Sequence, residues 1–178
     1  MKLVLKRVLV CTALFACIAC SDGRSGINPG DKAPNLKGVD EDSAPVALWD
    51  LKGDIFLLNF WATWCAPCME ELPALQSLHA KFQARGVQVV GIAVDDTVEN
   101  VKNAVRRYGI TYPIIIDNNA QSKRLYQVKG FPESFVLDGE HRVMVVTDPA
   151  DGTPQTRLWG PREWDSPRVG ALVNSLLK

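Results

Sequence analysis

The chain has 178 residues, of which 47% are hydrophobic and 22% are charged, and its 20 basic side chains balance its 20 acidic ones. This length is enough for one globular domain with a substantial core, and the zero net charge gives no electrostatic reason to expect a nucleic-acid partner. We therefore expect one folded domain that binds no nucleic acid.

The N-terminal segment has the features of an export signal. The cations Lys2, Lys6 and Arg7 precede an uncharged, mostly apolar run at residues 8–19, and polar residues follow that run. A run of this length is too short for an ordinary membrane-spanning helix. We predict that residues 1–19 form a signal peptide, with an uncleaved short anchor as the alternative.

Two cysteines near the end of this segment are candidates for lipid attachment. In residues 17–20 (CIAC) a small residue precedes Cys20, and the polar chain begins directly after it, as in a bacterial lipoprotein box. The alternatives are Cys17, which follows LFA at residues 14–16, and cleavage without lipid. We predict lipid attachment at Cys20, a tether at residues 20–35 and a folded domain at residues 36–178.

The folded part alternates strand and helix patterns. The continuous apolar run at residues 55–61 (IFLLNFW) predicts a buried strand, and VQVVGIAV at residues 87–94 predicts a second one. Apolar residues at three- and four-residue intervals predict a helix between them. The elements predicted after the second strand are a helix at 97–109 capped by Thr97, a strand at 112–116, a helix at 120–126, a hairpin of 134–137 with 142–147, and a last helix capped by Ser166. This order indicates an α/β fold with a mixed central sheet flanked by helices.

Cys65 and Cys68 indicate the chemistry. Ala66 and Pro67 separate them, and the pair lies where a buried strand meets a helix. The unpaired N–H groups of a helix N-terminus stabilise a thiolate, which is the attacking species in disulfide exchange. We predict that Cys65 attacks a disulfide and that Cys68, one turn later, resolves the mixed disulfide.

A metal site is the alternative for such a pair. The pair supplies only two zinc ligands, however, and His79 and His141 stand apart from it in the sequence. Covalent haem attachment requires a histidine directly after the second cysteine, where this chain has Met69. We therefore predict neither a metal nor a cofactor.

Two further features accompany the cysteine pair. Glu71 follows Cys68 by three residues and so shares its helical face, where a partly buried carboxylate would accept the proton of Cys68; the alternative is a solvated glutamate like Glu70. Phe131-Pro132 fits either a tight turn with a cis peptide bond or a trans proline that begins an edge strand. Spacing alone decides neither question.

Residues 59–68 (NFWATWCAPC) resemble the active-site strand and motif of thioredoxins. Together with GDKAP at residues 30–34 and GFPESF at residues 130–135, they more closely resemble the TlpA/ResA-like extracytoplasmic branch, which includes reductases of cytochrome c maturation. The likeness covers about residues 30–178. It implies a thioredoxin-like fold in which the helix at residues 97–109 is an insertion relative to thioredoxin.

The resemblance also implies roles for particular residues. Pro132 would be cis and would pack over the cysteine pair, with Trp64 and Phe131 at the substrate-binding surface and the backbone of Phe131 pairing with substrate as an added strand. Glu71 matches the acidic residue that the branch often carries after the motif. Asn59 replaces the buried aspartate of thioredoxin, which shifts any proton-handling role to Glu71.

The residues between the cysteines bear on the direction of electron flow. Ala66 and Pro67 offer neither charge nor a side-chain hydrogen bond, unlike the histidine that favours an oxidant, so we predict a reductase of protein disulfides. The resemblance implies disulfide-bearing protein substrates and a membrane thiol carrier as electron donor. It also implies a location on the periplasmic side, where the N-terminal lipid would anchor the protein to the membrane.

Two other functions stay open. A thiol peroxidase would carry Thr three residues and Pro seven residues before its reactive cysteine, where Cys65 has Ala62 and Leu58. A peptide-binding or chaperone module would use the groove beside the cysteines without turnover, and the sequence does not separate it from an enzyme. Trp159, Trp164 and the loop at residues 148–156 could shape the choice of partner, but we interpret the two tryptophans as packing residues and the loop as solvated.

Overall fold

The computed structural model describes residues 27–178. The strands of this part of the chain are β1 (Lys37–Val39), β2 (Pro45–Ala47), β3 (Ile55–Trp61), β4 (Val87–Val94), β5 (Ile114–Asp117), β6 (Glu133–Asp138), β7 (Val146–Thr147), β8 (Pro154–Gln155) and β9 (Leu158–Trp159). Its α-helices are α1 (Ala66–Phe82), α2 (Val98–Tyr108), α3 (Gln121–Leu125) and α4 (Pro167–Leu176).

The main sheet is mixed, with the strand order β2-β1-β5-β4-β3-β6-β9. β3, β4 and β5 run parallel to one another, whereas β6 runs antiparallel to β3. Parallel neighbours need crossover connections, which α1 and α2 provide. The predicted α/β fold with a mixed sheet and an additional helix between the second and third parallel strands is confirmed.

The central strand β3 is buried on both faces, which explains why all its residues except Asn59 are apolar. Leu57 and Trp61 belong to the core that the sheet forms with α1, while Phe56 and Phe60 belong to the core on the opposite face. Asn59 is the polar residue within this strand. Its side chain points to the α1 side, because successive residues of a strand alternate between faces.

Local sequence signals set the ends of the helices around the site. α1 begins after Cys65 and has Pro67 in its first turn, where the missing N–H costs nothing because that position lacks an intrahelical acceptor. The Thr97 hydroxyl accepts a hydrogen bond from the backbone N–H of Asn100, and Gly109 ends α2 in a left-handed conformation. The cap predicted at Thr97 is present.

The hairpin predicted at residues 134–147 is only partly correct. β6 does turn at Asp138, and a bridge between Leu137 and Val143 follows the turn. Beyond that bridge, β7 pairs with β8 in a separate two-stranded sheet, and β6 pairs with β9 instead. The sequence did not predict β8 and β9, because two-residue strands are too short to show an alternating pattern.

The residues assigned by sequence to the end of the tether pack on the domain. The backbone N–H of Gly30 donates to Val143 O, and that of Ala33 donates to His141 O, each at 2.8 Å. Ile27 and Ala33 are buried. The predicted signal peptide at residues 1–19 and the predicted lipid site at Cys20 lie outside the described residues. Within residues 27–178, no helix is long and apolar enough to cross a membrane.

Candidate active site

Cys65 and Cys68 lie at the start of α1 and are joined by a disulfide, with Cα atoms 5.3 Å apart. Cys65 is the residue before the first helical position, and Cys68 is in the first turn. Cys65 is 7% exposed, whereas Cys68 is fully buried. A substrate disulfide must reach the sulfur that attacks it, so this difference in access favours Cys65 as the attacking thiol.

Trp64 precedes the pair and stands at the rim of the site, 61% exposed. Its ring meets that of Phe131 edge to face, with centroids 5.5 Å apart, and its indole N–H donates to Asp95 O at 3.3 Å. The neighbouring Thr63 N–H donates to the Asp96 carboxylate at 2.6 Å. The loop that carries Cys65 is therefore fastened to the loop that follows β4.

The peptide bond between Phe131 and Pro132 is cis, one of the two alternatives that the sequence left open. Pro132 is buried, and its carbonyl oxygen accepts a hydrogen bond of 2.9 Å from Gly160 N–H. Phe131 contacts Trp64, which is bonded directly to Cys65 in the chain. The structure thus places Phe131, the residue before the cis Pro132, against Trp64 next to Cys65; substrate binding by these residues stays a prediction.

A partly buried ion pair braces this cis-proline loop. The guanidinium of Arg157 donates to Glu133 at 2.7 Å and to the carbonyl oxygen of Tyr126 at 2.6 Å. Glu133 follows Pro132 directly, so Arg157 ties both ends of the loop together. The sequence did not identify this pair, since its members are 24 residues apart and Arg157 lies between two very short strands.

Glu71 is a buried carboxylate, 4% exposed, whereas the neighbouring Glu70 is exposed. The structure therefore excludes the solvated alternative for Glu71. One carboxylate oxygen, Oε1, accepts a hydrogen bond from the Asn59 amide at 2.7 Å. The other, Oε2, accepts one from the backbone N–H of Arg162 at 3.1 Å and one from the indole N–H of Trp164 at 3.0 Å.

These surroundings act on the ionisation of Glu71 in opposite directions. Burial raises the pKa of Glu71 above its ordinary value, because the charged form loses hydration, and the three hydrogen bonds oppose that rise because they stabilise the carboxylate. A raised pKa brings a carboxyl group closer to the pH at which it both accepts and returns a proton. Cys68, on the same face of α1, is the buried thiol that it would serve.

Asn59 joins Glu71 to the sheet. Its amide nitrogen also donates to the hydroxyl of Ser134 at 3.1 Å, so it bridges α1 and β6. An amide does not titrate, and here it acts as a donor to the carboxylate rather than as a base. The side chains of Asn59, Ser134 and Trp164 share these hydrogen bonds with Glu71, and Glu71 is the acidic group among the four.

The contacts of Arg162 and Trp164 to Glu71 could not be predicted from sequence. They join residues 91 and 93 positions apart, and no spacing or periodic pattern links such distant residues. Trp164 is buried, as a packing residue would be, but its indole N–H also serves the carboxylate. Trp159, by contrast, is about half exposed beside the cis-proline loop.

Both histidines of the described residues belong to the core. His79 meets the ring of Tyr112 edge to face, and His141 stacks on Phe56 with ring centroids 4.5 Å apart. Burial lowers the pKa of both imidazoles, which favours their neutral form. Within residues 27–178, no group of three or more His, Cys, Asp or Glu side chains is arranged to hold a metal ion.

Comparison with known proteins assigns the chain to a family. The AhpC/TSA family matches residues 29–146, well over half of the chain. The thiol-disulfide oxidoreductase ResA of Bacillus subtilis (strain 168) is 33% identical over 140 residues, which are 78% of this chain and 78% of that protein. The chain belongs to the ResA-like thiol–disulfide oxidoreductases of the AhpC/TSA family. The resemblance to the TlpA/ResA-like branch is confirmed.

Other ResA-like proteins and a solved structure agree with this assignment. The thiol-disulfide oxidoreductase ResA of Bacillus thuringiensis (strain Al Hakam) is 37% identical over 115 residues, which are 65% of this chain and 66% of that protein, just under two thirds of its length. The crystal structure of a thiol:disulfide interchange protein, thioredoxin family protein, from Chlorobium tepidum TLS superposes with a TM-score of 0.67 at 30% identity. That match covers 85% of this chain and 98% of the other, and it confirms the predicted thioredoxin-like fold.

Proposed function

We propose that this protein reduces disulfide bonds in other proteins through the Cys65–Cys68 dithiol. The observation that carries the proposal is the placement of this pair at the N-terminus of α1, with the exposed ring of Trp64 and the cis-proline loop directly beside it. The relatives named as thiol-disulfide oxidoreductases support the same reaction class.

The reaction has two exchange steps. In the first, the thiolate of Cys65 attacks a substrate disulfide, a Cys65–substrate disulfide forms, and one substrate thiolate leaves and takes up a proton. In the second, Cys68 loses its proton and attacks the sulfur of Cys65, and the second substrate sulfur leaves as a thiolate that takes up a proton from solvent. Two electrons pass from the dithiol to the substrate, and the Cys65–Cys68 disulfide seen here is the oxidised product.

Glu71 is the proton acceptor for the second step in this proposal. Cys68 is fully buried, and an apolar environment holds a thiol in its neutral form. Resolution therefore requires a nearby base, and Glu71 shares the face of α1 with Cys68 and has a raised pKa because of its burial. After the mixed disulfide is resolved, the carboxylic acid returns the proton to solvent.

The substrate would bind along the cis-proline loop. Phe131 is partly buried and packs against both cores, while its ring meets Trp64 at the rim. An added Cβ at the preceding Gly130 would meet no atom within 4 Å, so the approach to this loop is open. This arrangement supports pairing of an extended substrate segment with the backbone of Phe131, with Trp64 and Pro132 as its side walls.

The direction of electron flow and the location complete the proposal. Ala66 and Pro67 are exposed and offer no polar group to stabilise a Cys65 thiolate beyond the helix N-terminus, which supports a reductase. We place the protein outside the cytoplasm, anchored by a lipid on Cys20 after removal of residues 1–19, where a membrane thiol carrier would reduce it. Apocytochrome c is a candidate substrate there, on the strength of the family likeness.

The proposal is tested first by the midpoint potential of the Cys65–Cys68 couple, measured by tryptophan fluorescence in dithiothreitol or glutathione buffers. A value near or below about −220 mV, toward the thioredoxin end of the scale, is expected of a reductase. A value near about −120 mV, as in strong oxidants, would overturn the direction and leave the site unchanged. Mass spectrometry of the native N-terminus tests the lipid: an unmodified chain that begins after Cys20 would overturn it.

The two other functions are separated by cysteine variants. A Cys68→Ser variant should trap a mixed disulfide between Cys65 and substrate, whereas the variant with both cysteines replaced by serine should lose all reductase activity. Function retained in cells by that double variant would favour a peptide-binding module. Peroxide consumption comparable to its disulfide reduction would favour a thiol peroxidase.

A further inference from the structure

The side chain of Arg162 forms a buried ion pair with Asp148 in the C-terminal part of the chain. Its guanidinium donates to both oxygens of Asp148, through Nε at 3.1 Å and Nη2 at 2.5 Å, and the side chains of both residues are 7% exposed. It also donates to the carbonyl oxygens of Trp159 and Gly160, each at 2.8 Å. One guanidinium thus ties the loop after β7 to the segment after β9 through a rigid, two-pronged contact.

The segment held in this way is the one that reaches Glu71. The backbone N–H of Arg162 itself and the indole N–H of Trp164 both donate to Oε2 of Glu71. We propose that Asp148 and Arg162 form a positioning pair, which holds residues 160–164 so that these two donors stay on the carboxylate of Glu71. The inference rests on the proposed role of Glu71 in proton transfer and adds the residues that would tune it.

The groups that face Glu71 show why these donors matter. Asn59 donates a hydrogen bond to Glu71 from β3, and the buried Cys68 lies one turn earlier on α1. Tyr112 is also nearby: burial raises the pKa of the Tyr112 phenol, and the negative charge of Glu71 raises it further. The Arg162 guanidinium favours the charged form of Glu71. A shallow groove of about 340 Å³ leads to the carboxylate, and its charged lining residues are Glu70, Glu71, Arg162, Glu163 and Asp165.

Loss of the pair should therefore have a defined effect. If Asp148 no longer holds Arg162, residues 160–164 are free to shift, and the hydrogen bonds to Oε2 weaken. Burial of Glu71 then acts with less opposition, so the pKa of Glu71 rises further above its ordinary value. If the pair served stability alone, its loss would lower the unfolding free energy and leave the titration midpoint of Glu71 unchanged.

The experiment titrates Glu71 directly in the full-length, reduced protein. The indole N–H resonance of Trp164 in a ¹⁵N-labelled sample reports the charge of Glu71, because the two groups share a hydrogen bond. Trp164→Phe identifies the resonance, and Glu71→Gln should abolish its titration. In Asp148→Asn we expect the midpoint to move to higher pH by about one unit, which corresponds to one lost hydrogen bond to a charged group.

Glu133→Gln is the matched control. It disrupts the Arg157–Glu133 ion pair, which is partly buried. The hydrogen bonds of Arg157 go to Glu133 and to carbonyl oxygens of the cis-proline loop and not to Glu71, so the midpoint should stay at the wild-type value. An unchanged midpoint in folded Asp148→Asn would overturn the positioning pair. If Asp148→Asn does not fold, Arg162→Lys serves instead, because lysine keeps the charge without the two-pronged contact, and the midpoint should again rise.

The outcome is independent of the proposed catalytic role. If Glu71→Gln leaves the pH profile of disulfide reduction unchanged, Glu71 is not the proton acceptor, yet the indole titration still decides whether Asp148 and Arg162 set its ionisation. If Glu71→Gln removes a limb of the profile and Asp148→Asn does not move that limb, the pair fails and the role of Glu71 stands.

Discussion

The two cysteines differ in what each needs from its surroundings. Cys65 lies directly before the first residue of α1 and is slightly exposed, whereas Cys68 is fully buried in its first turn. In the proposed mechanism the N–H groups of the helix start favour the Cys65 thiolate, while Cys68 needs a base, for which the buried Glu71 is the candidate. The pH dependence of the second exchange step should consequently be that of Glu71.

Substitution of Glu71 tests whether this residue accepts the proton of Cys68. Proton acceptance requires the carboxylate, so the wild-type rate of resolution should rise with pH through the raised pKa of Glu71. In Glu71→Gln we expect that limb to vanish and the rate near neutral pH to fall about 10²-fold, with recovery at alkaline pH where Cys68 ionises alone. The measurement is the release of a chromogenic thiol from its mixed disulfide with Cys65. An unaltered pH profile would contradict the role.

The Asp148–Arg162 pair should also be visible in stability. Arg162 lowers the pKa of Asp148, so the folded state binds a proton on Asp148 less readily than the unfolded chain does. The stabilisation is therefore full above about pH 4, the usual range of aspartate, and is lost as pH falls through the lowered value. Asp148→Asn should reduce the unfolding free energy by about 3 kcal/mol at pH 7. In urea unfolding, the difference in unfolding free energy between wild type and Asp148→Asn should shrink as the pH is lowered from neutral to acidic. A difference that stays constant would contradict this stabilisation by the ion pair.

At the scale of residues, local spacing explains what the sequence could predict. Cys65, Cys68 and Glu71 lie within one stretch of seven residues, so a motif and a helical repeat were enough to nominate them. Arg162 and Trp164 meet Glu71 only because the chain folds back over more than 90 residues. Such contacts have no local sequence signal, so the sequence predicts packing for Trp164 and not its hydrogen bond to Glu71.

Among the elements, the accuracy of prediction followed length. The seven-residue β3 and the eight-residue β4 are almost entirely apolar, and the sequence predicts both at their observed bounds. The two-residue β8 and β9 were not predicted, and β9 is the strand that leads to Gly160 and Arg162. The least predictable element thus supplies the contacts that complete the surroundings of Glu71.

The cap of α2 gives a test at this scale. The Thr97 hydroxyl accepts from the Asn100 N–H at 3.2 Å, and the preceding Asp96 holds the Thr63 N–H of the cysteine loop. Thr97→Ala should lower the unfolding free energy by about 1 kcal/mol in urea titration, because one N–H at the helix start loses its acceptor. Thr97→Ser keeps the hydroxyl, so its unfolding free energy should fall by only a few tenths of a kcal/mol. An equal fall in both variants would contradict the capping role of Thr97.

At the scale of the molecule, the sheet separates two cores within residues 27–178, and one of these two contains Cys65 and Cys68. Cys65 and Cys68 belong to the core shared with α1, whereas Leu58 is buried in the core on the opposite face. The site itself lies beyond the carboxyl end of β3, where parallel strands of α/β folds present their loops. Stability and redox chemistry should therefore be separable by position.

A cavity in the distant core tests that separation. Leu58→Ala should lower the unfolding free energy by about 2–5 kcal/mol, since the side chain is fully buried and its neighbours collapse only in part. The midpoint potential of the Cys65–Cys68 couple should stay at the wild-type value. A potential that moved with the loss of stability would show that the two cores act as one unit on the site.

The distance in sequence between Glu71 and its partners has a consequence for biosynthesis. The cysteines leave the ribosome, and reach an oxidising compartment if the chain is exported, while Asp148, Arg162 and Trp164 are still to be synthesised. A nascent chain can therefore close the Cys65–Cys68 disulfide before its carboxylate acquires the donors that tune it. Only a chain extended to Trp164 carries all the hydrogen-bond donors of Glu71, so partial synthesis products would hold the cysteine pair without these surroundings of Glu71.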